Sequence, residues 1–325
     1  MLNFLYCCDE NYNLQFQTSL FSLLENISEK INIYLIHKPG FNKESISEKI
    51  TKHIKLNEFN LIEFSSEVRE FPNIIDAHVS EATYYRLFVD EHLNKTSDVL
   101  IYLDADIICV DNPSEQLLQH IDKLKESDFI ISVKTEHSIT DSQERLGMTS
   151  NQYFNAGVMI IDYQKWFKQE IGEQLRNKLK NNKKDLKFWD QDVLNMFFDG
   201  KYLELHKELN ARVHMDAYEK LDNKERQELN NKLKKEGFIN EKLLHFAGKF
   251  KPWSLKGILN KQSKPYHDYF EDIFDGEIHL QYNWKGNALK DLIYSIFSLY
   301  IFSYKKPFKL MGKVLISLFR KNEKF

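Results

Sequence analysis

Two aspartates interrupt an apolar run about one third of the way along the chain. The segment 99–110 reads VLIYLDADIICV, and Asp104 and Asp106 are its only charged side chains. Side chains two positions apart on a strand project to the same side, so this spacing predicts two neighbouring carboxylates at the end of a buried strand. A divalent cation such as Mg²⁺ or Mn²⁺ would hold both carboxylates ionised. The alternative is a strand end whose aspartates cap the next element or face solvent.

A persuasive metal site needs a third ligand, and His245 is the candidate. It lies in an apolar stretch and is followed by Gly248 and Lys251. A glycine allows close approach of the backbone, and a nearby lysine supplies positive charge, so this combination suits a phosphate group. A metal ion and a lysine together would neutralise a diphosphate. The structural alternative is a histidine that is satisfied within the core.

Four further polar residues lie in largely apolar surroundings. Arg86, in an aromatic-rich helical segment, could face phosphate or sugar oxygens, or pair with Asp90 four residues later. Asn155 interrupts an apolar strand and must find a hydrogen-bond partner, either backbone or a ligand hydroxyl. Asp190 and Gln191 combine acceptors with an amide, which suits sugar hydroxyls, although acids also favour helix N-termini.

Hydrophobic periodicity predicts strands that alternate with helices, which indicates βαβ units and a mostly parallel sheet. The predicted strands are 1–8, 30–37, 60–64, 99–110, 129–133 and 153–161, with a return to strand at 243. The predicted helices are 14–27, 45–54, 81–92, 114–124, 163–179 and a densely charged surface helix within 218–236. Gly157, inside the strand 153–161, indicates close approach of another backbone or ligand.

Composition bounds the class of protein. The 325 residues with 42% hydrophobic content can form one large domain or two smaller ones, and a net charge of −3 argues against a general nucleic-acid binder. The three cysteines lack metal-ligand spacing, which predicts buried thiols in a reducing cytoplasm. The short apolar start meets acidic residues at once and has no preceding basic region, so it is not predicted to be a signal peptide.

The C-terminal region is basic, in contrast to the acidic remainder of the chain. From Lys285 onward there are nine Lys or Arg residues and two acids. Its apolar run is too short to cross a bilayer, which takes about 20 residues. After Pro307 apolar and basic residues continue to alternate, which is typical of an amphipathic helix on an anionic membrane surface. The alternative is a helix packed on the rest of the protein or on a dimer partner.

Six motifs occur in the order found in one enzyme family. They are LYCCDENY at 5–12, EATYYRL at 81–87, VLIYLDADI at 99–107, YFNAGV at 153–158, WDQDVLN at 189–195 and HFAGKFKPW at 245–253. Together they resemble glycosyltransferase family 8, retaining enzymes that use a nucleotide sugar and include bacterial lipopolysaccharide galactosyl- and glucosyltransferases. The resemblance covers about residues 1–253, and more loosely the basic C-terminal region.

The resemblance implies an α/β fold: a single nucleotide-sugar-binding domain of the glycosyltransferase A type, with a mostly parallel mixed sheet. We expect this domain over residues 1–260 and a basic, helical C-terminal region over 261–325 at a membrane surface or acceptor. By match to the family motifs, Asp104, Asp106 and His245 would hold Mn²⁺, with Mg²⁺ as a second possibility. The residues implied to bind the donor are Cys7, Asp9, Asn11, Arg86, Asp104, Ala105, Asn155, Gly248 and Lys251.

The implied catalytic residues are Asp190 and Gln191, with Gln191 nearest the anomeric carbon. Because an amide is a poor nucleophile, front-face attack is favoured over double displacement. Family members often have an acceptor-binding Asp after the strand that here reads FIISV, whereas this chain has Lys134. The acceptor therefore stays open at this point.

The expected function is transfer of galactose or glucose from a UDP-sugar to a bacterial cell-surface glycan, most simply lipopolysaccharide or lipooligosaccharide. The expected location is the cytoplasm, at the inner face of the plasma membrane. Two alternatives are a glycosyltransferase that acts on a protein-linked glycan and a non-catalytic nucleotide-sugar-binding membrane scaffold.

Overall fold

A computed structural model describes residues 1–66, 71–72, 80–94, 98–137, 139–182, 184–213, 240–248, 251–281 and 288–319, with residues 224, 225, 228 and 231. Its strands are β1 Leu2–Cys8, β2 Ile31–His37, β3 Leu56–Glu63, β4 Val99–Leu103, β5 Ile107–Cys109, β6 Ile131–Thr135, β7 Phe154–Asp162, β8 Leu203–Glu204, β9 Ala211–Arg212 and β10 Leu243–His245. Most of the predicted surface helix within 218–236 lies outside the described residues.

The helices connect and cover these strands. They are α1 Asn13–Asn26, α2 Glu48–Thr51, α3 Val89–His92, α4 Ser114–Glu126, α5 Ser142–Leu146, α6 Tyr163–Lys168, α7 Ile171–Lys180, α8 Trp189–Phe198, α9 Leu255–Ile258, α10 Lys264–Ile273, α11 Ala288–Phe297 and α12 Pro307–Phe319. Short 3₁₀ helices include Glu10–Tyr12, Glu81–Phe88 and Lys207–Asn210.

The central sheet has seven strands in the order β3-β2-β1-β4-β7-β6-β8. Strands β3, β2, β1 and β4 are parallel, β7 is antiparallel to β4 and β6, and β8 is parallel to β6. The predicted mostly parallel, mixed sheet is therefore confirmed. A second sheet has the order β5-β10-β9, and β10 runs antiparallel to β5.

The alternation of side chains along β1 divides the core into two layers. Phe4 and Tyr6 face the layer that contains α1, while Leu5 and Cys7 face the layer built from the 3₁₀ segment Glu81–Phe88, α7 and α8. All three cysteines are buried, and none of them forms a disulfide bond. Because both faces of the sheet are covered in the described part of the chain, the strand ends are where we expect a ligand to bind.

Two predicted elements are each divided in the structure. The run 99–110 is not one strand: β4 belongs to the large sheet, β5 belongs to the small one, and Asp104–Asp106 form the turn between them, closed by a hydrogen bond from Ile107 N to Asp104 O of 3.1 Å. The helix predicted at 163–179 is also wrong as one element. Glu170, with φ of 54°, adopts the left-handed conformation and separates α6 from α7.

The C-terminal region is helical. Its apolar cluster joins residues from both sides of position 260, namely Leu255, Ile258, Leu259, Ile278, Leu292, Tyr300, Ile301, Tyr304, Leu310 and Val314. The helix α10 belongs to a different cluster, since Tyr266 and Phe270 pack with Trp253 and Phe246. In the described part of the chain, no helix has the length and apolar character needed to cross a membrane.

Candidate active site

The turn between β4 and β5 and the end of β10 bring three metal-ligand side chains together. One ligand atom each from Asp104, Asp106 and His245 lies within 4.8 Å of the others. His245 Nε2 is 3.8 Å from Asp104 Oδ2 and 3.4 Å from Asp106 Oδ1. Asp106 and His245 are buried, whereas the Asp104 side chain is 32% exposed. The cluster is therefore open to solvent at Asp104.

Two observations indicate that this cluster fits a metal ion. Asp106 Oδ1 is buried and has no hydrogen-bond partner, which is costly for a carboxylate oxygen unless a cation lies against it. Gly157 on β7 provides the space, because a Cβ there would lie 2.8 Å from His245 Nδ1 and 2.9 Å from Asp104 Oδ2. Two carboxylates and an imidazole form a donor set suited to Mn²⁺ or Mg²⁺.

Lys251 supplies positive charge beside the cluster. Its ammonium group donates to Asp106 Oδ2 and, at 3.0 Å, to the carbonyl of Phe246. Burial would raise the pKa of Asp106, but Lys251 and then His245 lower that pKa overall. Burial lowers the pKa of His245, and Asp106 and Asp104 offset this only in part. These shifts favour an ionised Asp106 and a neutral His245 imidazole, the protonation states of metal ligands.

The other nitrogen of His245 is held by a buried asparagine. Nδ1 lies 2.9 Å from Asn210 Oδ1, and Asn210 Nδ2 donates to Asn155 Oδ1 at 3.0 Å. Asn155 Oδ1 also accepts from the backbone N–H of Gly157 at 3.0 Å. The carbonyl of Asn210 accepts from Lys134 Nζ at 2.8 Å. Asn210 was not among the residues singled out in the sequence.

Arg86 is buried and joins three parts of the site. Its guanidinium donates to Asp190 Oδ2, donates to the carbonyl of Ala156 at 2.6 Å, and lies 3.5 Å from Asp104 Oδ1. Burial alone would lower the pKa of Arg86, but Asp190, Tyr102 and Asp104 raise it overall. Arg86 therefore stays charged between α8 and the cluster of Asp104, Asp106 and His245.

The ion pair between Arg86 and Asp90, the alternative considered from the sequence, is absent. Asp90 pairs instead with Arg176 of α7, at 2.7 Å and 3.1 Å between the guanidinium nitrogens and the two carboxylate oxygens. The Glu81–Phe88 segment is a 3₁₀ helix with three residues per turn, so positions 86 and 90 do not share the face that an α-helix would give them.

The two proposed catalytic residues are engaged by neighbouring side chains and backbone. Asp190 accepts from Arg86 and, at 2.6 Å, from Thr83 Oγ1. Gln191 Oε1 accepts from Ala156 N at 2.9 Å, and its Nε2 donates to Tyr153 OH at 3.1 Å. Burial raises the pKa of Asp190, while Arg86 acts in the opposite direction. Neither side chain is left as an unpaired nucleophile.

A cleft of about 520 Å³, partly open to solvent, begins at this cluster and extends along the end of β1. Its lining residues are Cys7, Cys8, Tyr12, Ser80, Ala82, Thr83, Tyr102, Asp104, Ala105, Asp106 and Lys251. The cleft lies at the carboxyl ends of β1 and β4, which is where open α/β sheets bind ligands.

Some of the residues expected to bind the donor lie beside the cleft rather than in its lining. Asp9 is buried and accepts from Asn11 N at 3.1 Å and Asn11 Nδ2 at 3.2 Å, so these two residues form one hydrogen-bonded turn after β1. Gly248, with φ of 92° and open space around its Cα, follows His245. Arg86, Asn155, Asp190 and Gln191 form a wall next to Asp104.

Several polar residues of the site were missed from the sequence. Tyr102 OH donates to Asp104 Oδ1 at 2.7 Å, and Tyr153 OH donates to Asp192 Oδ1 at 2.6 Å. For Tyr102 a signal was available, because it lies two positions before Asp104 on the same strand. For Asn210 and Thr83 no local pattern could have given the role, since their partners are distant in the chain.

Comparison with known proteins gives a consistent result. The model of glycosyl transferase family 8 matches residues 3–257. General stress protein A of Bacillus subtilis is 28% identical over 299 residues, covering 88% of this chain and 96% of that protein. A lipopolysaccharide 1,2-glucosyltransferase of Escherichia coli is 29% identical over 276 residues, covering 82% of this chain and 76% of that enzyme.

A solved structure shares the fold. The galactosyltransferase LgtC, in complex with donor and acceptor sugar analogues, superposes with a TM-score of 0.67 at 20% identity, covering 83% of this chain and 96% of that one. The predicted A-type fold is therefore confirmed. Since the family model matches well over half of the 325 residues, this chain belongs to glycosyltransferase family 8.

Proposed function

We propose that this protein is a metal-dependent, retaining hexosyltransferase that moves galactose or glucose from a UDP-sugar to a bacterial cell-surface glycan. The observation that carries the proposal is the unpaired, buried Asp106 Oδ1, which faces His245 Nε2 beside Lys251. The lipopolysaccharide and lipooligosaccharide class of acceptor is favoured by the relative in Escherichia coli. A protein-linked glycan is the second candidate acceptor.

In this proposal, Asp104, Asp106 and His245 hold Mn²⁺, or Mg²⁺ in its place. When bound, the ion supplies Lewis-acid stabilisation of the negative charge that develops on the leaving diphosphate. Lys251 lies where it can add a second positive charge to the same phosphates, and Gly248 leaves room for them. The cleft beside the end of β1 would take the uridine, with Cys7, Asp9, Asn11 and Ala105 around it.

The donor sugar would lie against the wall formed by Arg86, Asn155, Asp190 and Gln191. Asp190 has both carboxylate oxygens occupied and Gln191 has both ends of its amide occupied. These contacts support front-face attack, in which the departing phosphate accepts the proton of the acceptor hydroxyl. In this mechanism Asp190 orients Arg86, and Gln191 orients the sugar.

The test is release of UDP from a panel of UDP-sugars with and without Mn²⁺. We expect turnover with UDP-galactose or UDP-glucose that requires the metal, and loss of at least 100-fold in Asp106→Asn, because the variant keeps the shape but loses a charged ligand. Asp111→Asn is the matched control, since the Asp111 side chain is exposed and its carboxylate contacts only Lys242 and the backbone N–H of Asn112 among the described residues. Metal-independent turnover, or near-normal activity of Asp106→Asn, would contradict the proposal. Binding of UDP-sugars without turnover would favour the scaffold.

We also propose that the C-terminal region 261–325 contacts an anionic membrane from the cytoplasmic side, as a lipid-linked acceptor would require. Eight of the fourteen large apolar side chains exposed among the described residues lie between Leu289 and Ile316. Six of these eight lie on α11 and α12, where Phe297 is 83% and Phe308 is 76% exposed. This density favours insertion into a membrane surface.

The charges of this region contribute less than its sequence predicts. Lys305 pairs with Asp272, and Lys309 and Lys313 pair with Glu277. The apolar residues therefore carry this proposal. Phe297→Ser combined with Phe308→Ser should weaken sedimentation with anionic vesicles by at least about tenfold while UDP release persists. Ile54→Ser, at a site that is 80% exposed in the turn between α2 and β3, is the control. Unchanged sedimentation of the double variant would refute membrane contact by this face.

A further inference from the structure

A chain of hydrogen bonds begins at a backbone group whose role is unambiguous. The N–H of Gly157 can only donate, so the Asn155 atom 3.0 Å from it is the side-chain oxygen. The same oxygen lies 3.0 Å from the side chain of Asn210. Two carbonyl oxygens cannot satisfy one another, so Asn210 must present its amino group here.

The polarity of Asn210 then determines the protonation of the next group. With Nδ2 turned to Asn155, its Oδ1 faces His245 Nδ1 at 2.9 Å. An amide oxygen can only accept, so the hydrogen of the neutral imidazole is on Nδ1. The lone pair of Nε2 is then directed at the space shared with Asp104 and Asp106.

Asn210 is well placed to hold this arrangement. It is 2% exposed and ends the 3₁₀ helix Lys207–Asn210, immediately before β9, which pairs with β10. Lys134 Nζ fixes its carbonyl from β6. Its backbone is therefore anchored to both sheets, and its side chain bridges the histidine and Asn155.

We infer that Asn210 is the positioning residue that sets His245 in the tautomer able to bind metal, through a relay that starts at Gly157 and passes through Asn155. The inference deepens the proposed function and rests on it for the role of the metal. It also assigns Asn155 a defined polarity: its oxygen is used by the relay, so only its amino group can face a bound sugar. Metal ligation and recognition of a sugar oxygen are thus linked by two amides.

The relay also explains the lysine at position 134. A lysine on β6 holds the carbonyl of Asn210 at 2.8 Å, and burial lowers the pKa of this lysine while Glu241 acts in the opposite direction. Lys134 therefore holds Asn210, which in turn holds His245. This gives Lys134 a role other than acceptor binding.

The test compares two substitutions of Asn210 that remove different parts of its side-chain amide. Asn210→Ala removes the acceptor for His245, whereas Asn210→Asp keeps an acceptor oxygen but loses the donor to Asn155. Nitrogen-15 spectra of histidine-labelled, metal-free, full-length protein report the tautomer, with His245→Gln identifying the resonance. We expect a single Nδ1–H tautomer in the wild-type protein and in Asn210→Asp, and a mixture or the other tautomer in Asn210→Ala.

The second readout is the affinity for Mn²⁺ alone, measured from the free-ion electron paramagnetic resonance signal without donor. We expect Asn210→Ala to bind Mn²⁺ about 10- to 100-fold more weakly and Asn210→Asp to recover most of that loss, as residues that support metal ligands do. The KM for the UDP-sugar should be above the wild-type value in Asn210→Asp as well as in Asn210→Ala, because in both variants Asn155 loses the hydrogen bond from Asn210 Nδ2. Asn260→Ala removes a buried asparagine outside the site and should keep wild-type affinity.

Wild-type tautomer and affinity in Asn210→Ala would overturn the inference, as would equal losses in Asn210→Ala and Asn260→Ala. Failure of the wild-type protein to bind Mn²⁺ would contradict the proposed function instead. The nitrogen-15 spectrum would still decide the relay in that case, because the tautomer is read without metal.

Discussion

Gly157 occupies the point where three segments of the site meet. Its carbonyl accepts from Asp104 N at 2.8 Å, its N–H donates to Asn155, and its Cα faces the ring of His245. A methyl group there would lie within 3.0 Å of His245 Nδ1 and Asp104 Oδ2, both in buried or half-buried positions with little room to move.

We therefore predict that Gly157→Ala lowers Mn²⁺ affinity by at least about tenfold and UDP release by a similar or larger factor, while the far-ultraviolet circular dichroism spectrum is retained. Titration of Mn²⁺ followed by calorimetry measures the first quantity. Gly312→Ala is the matched control, because a Cβ at Gly312 meets nothing within 4 Å and should leave both quantities unchanged. Wild-type affinity in Gly157→Ala would show that His245 does not act as a ligand.

Individual residues differ in how far the sequence could predict them. The aspartate pair and Gly157 carry local signals: an unusual carboxylate spacing in an apolar run, and a glycine inside a strand. The positions of Arg86 and Asn210 depend on contacts with residues about 100 and 35 positions away in the chain, Asp190 and His245. Periodicity says nothing about such pairings, so their partners became known only from the fold.

Helix α8 is joined to strand β7 by the side chain of Asn195, which makes the two backbone hydrogen bonds that an adjacent strand would otherwise make. Asn195 Oδ1 accepts from Phe154 N at 2.8 Å, and its Nδ2 donates to Phe154 O at 3.0 Å. Two residues further along the strand, Ala156 N donates to Gln191 and Ala156 O accepts from Arg86. Together these contacts hold α8, and with it Asp190 and Gln191, against the cluster of Asp104, Asp106 and His245.

Asn195→Leu is expected to lower the free energy of unfolding by about 2–3 kcal/mol, because it leaves two buried backbone groups of Phe154 unsatisfied. Urea denaturation measures this change. The KM for the UDP-sugar should rise as α8 loses its anchor, with Mn²⁺ affinity unaffected. Asn177→Leu, on the exposed face of α7, provides the comparison and should change stability little. Equal effects of the two substitutions would refute the anchoring role.

At the level of elements, the sequence predicted the order of strands and helices but not every division between them. The apolar run 99–110 does not show that its two halves belong to different sheets, because both halves are buried. The break between α6 and α7 is made by Glu170 in a left-handed conformation, without the glycine or proline that usually marks such a point. Tertiary packing decides both features.

The C-terminal half of the molecule contains two buried histidines that make its stability depend on pH. His267 Nε2 donates to the carbonyl of Pro252 at 2.9 Å, and His279 Nδ1 is bonded to Tyr266 OH at 2.6 Å. Burial lowers the pKa of His267 to about 4 and the pKa of His279 to about 3. Both are therefore neutral in the folded protein at neutral pH.

An unfolded chain binds these protons at about pH 6.5, so it takes up more protons than the folded protein below that value. The stabilisation is present above pH 6.5 and is lost as the pH falls toward the folded pKa. Each histidine should contribute a loss on the order of 2 kcal/mol between pH 6.5 and 5. In His267→Gln the loss measured by urea denaturation over this range should shrink by about that amount.

The control is His206→Gln, at a side chain that is 45% exposed, and this variant should keep the wild-type dependence on pH. An unchanged dependence in His267→Gln would contradict the assignment of a buried, neutral His267. His267 links α10 to the loop that follows Lys251. The same experiment therefore reports whether the C-terminal helices unfold together with the part of the protein that contains Asp104, Asp106 and His245.

The proposed function of the whole molecule depends on a divalent metal ion held by the turn between β4 and β5 and by the end of β10. Anomalous diffraction at the manganese edge, from crystals grown with Mn²⁺ and UDP, tests this claim most directly. We predict one strong peak between Asp104, Asp106 and His245, with the diphosphate touching the ion and Lys251. Bound UDP with no manganese at these three side chains, or manganese bound elsewhere in the cleft, would contradict the account.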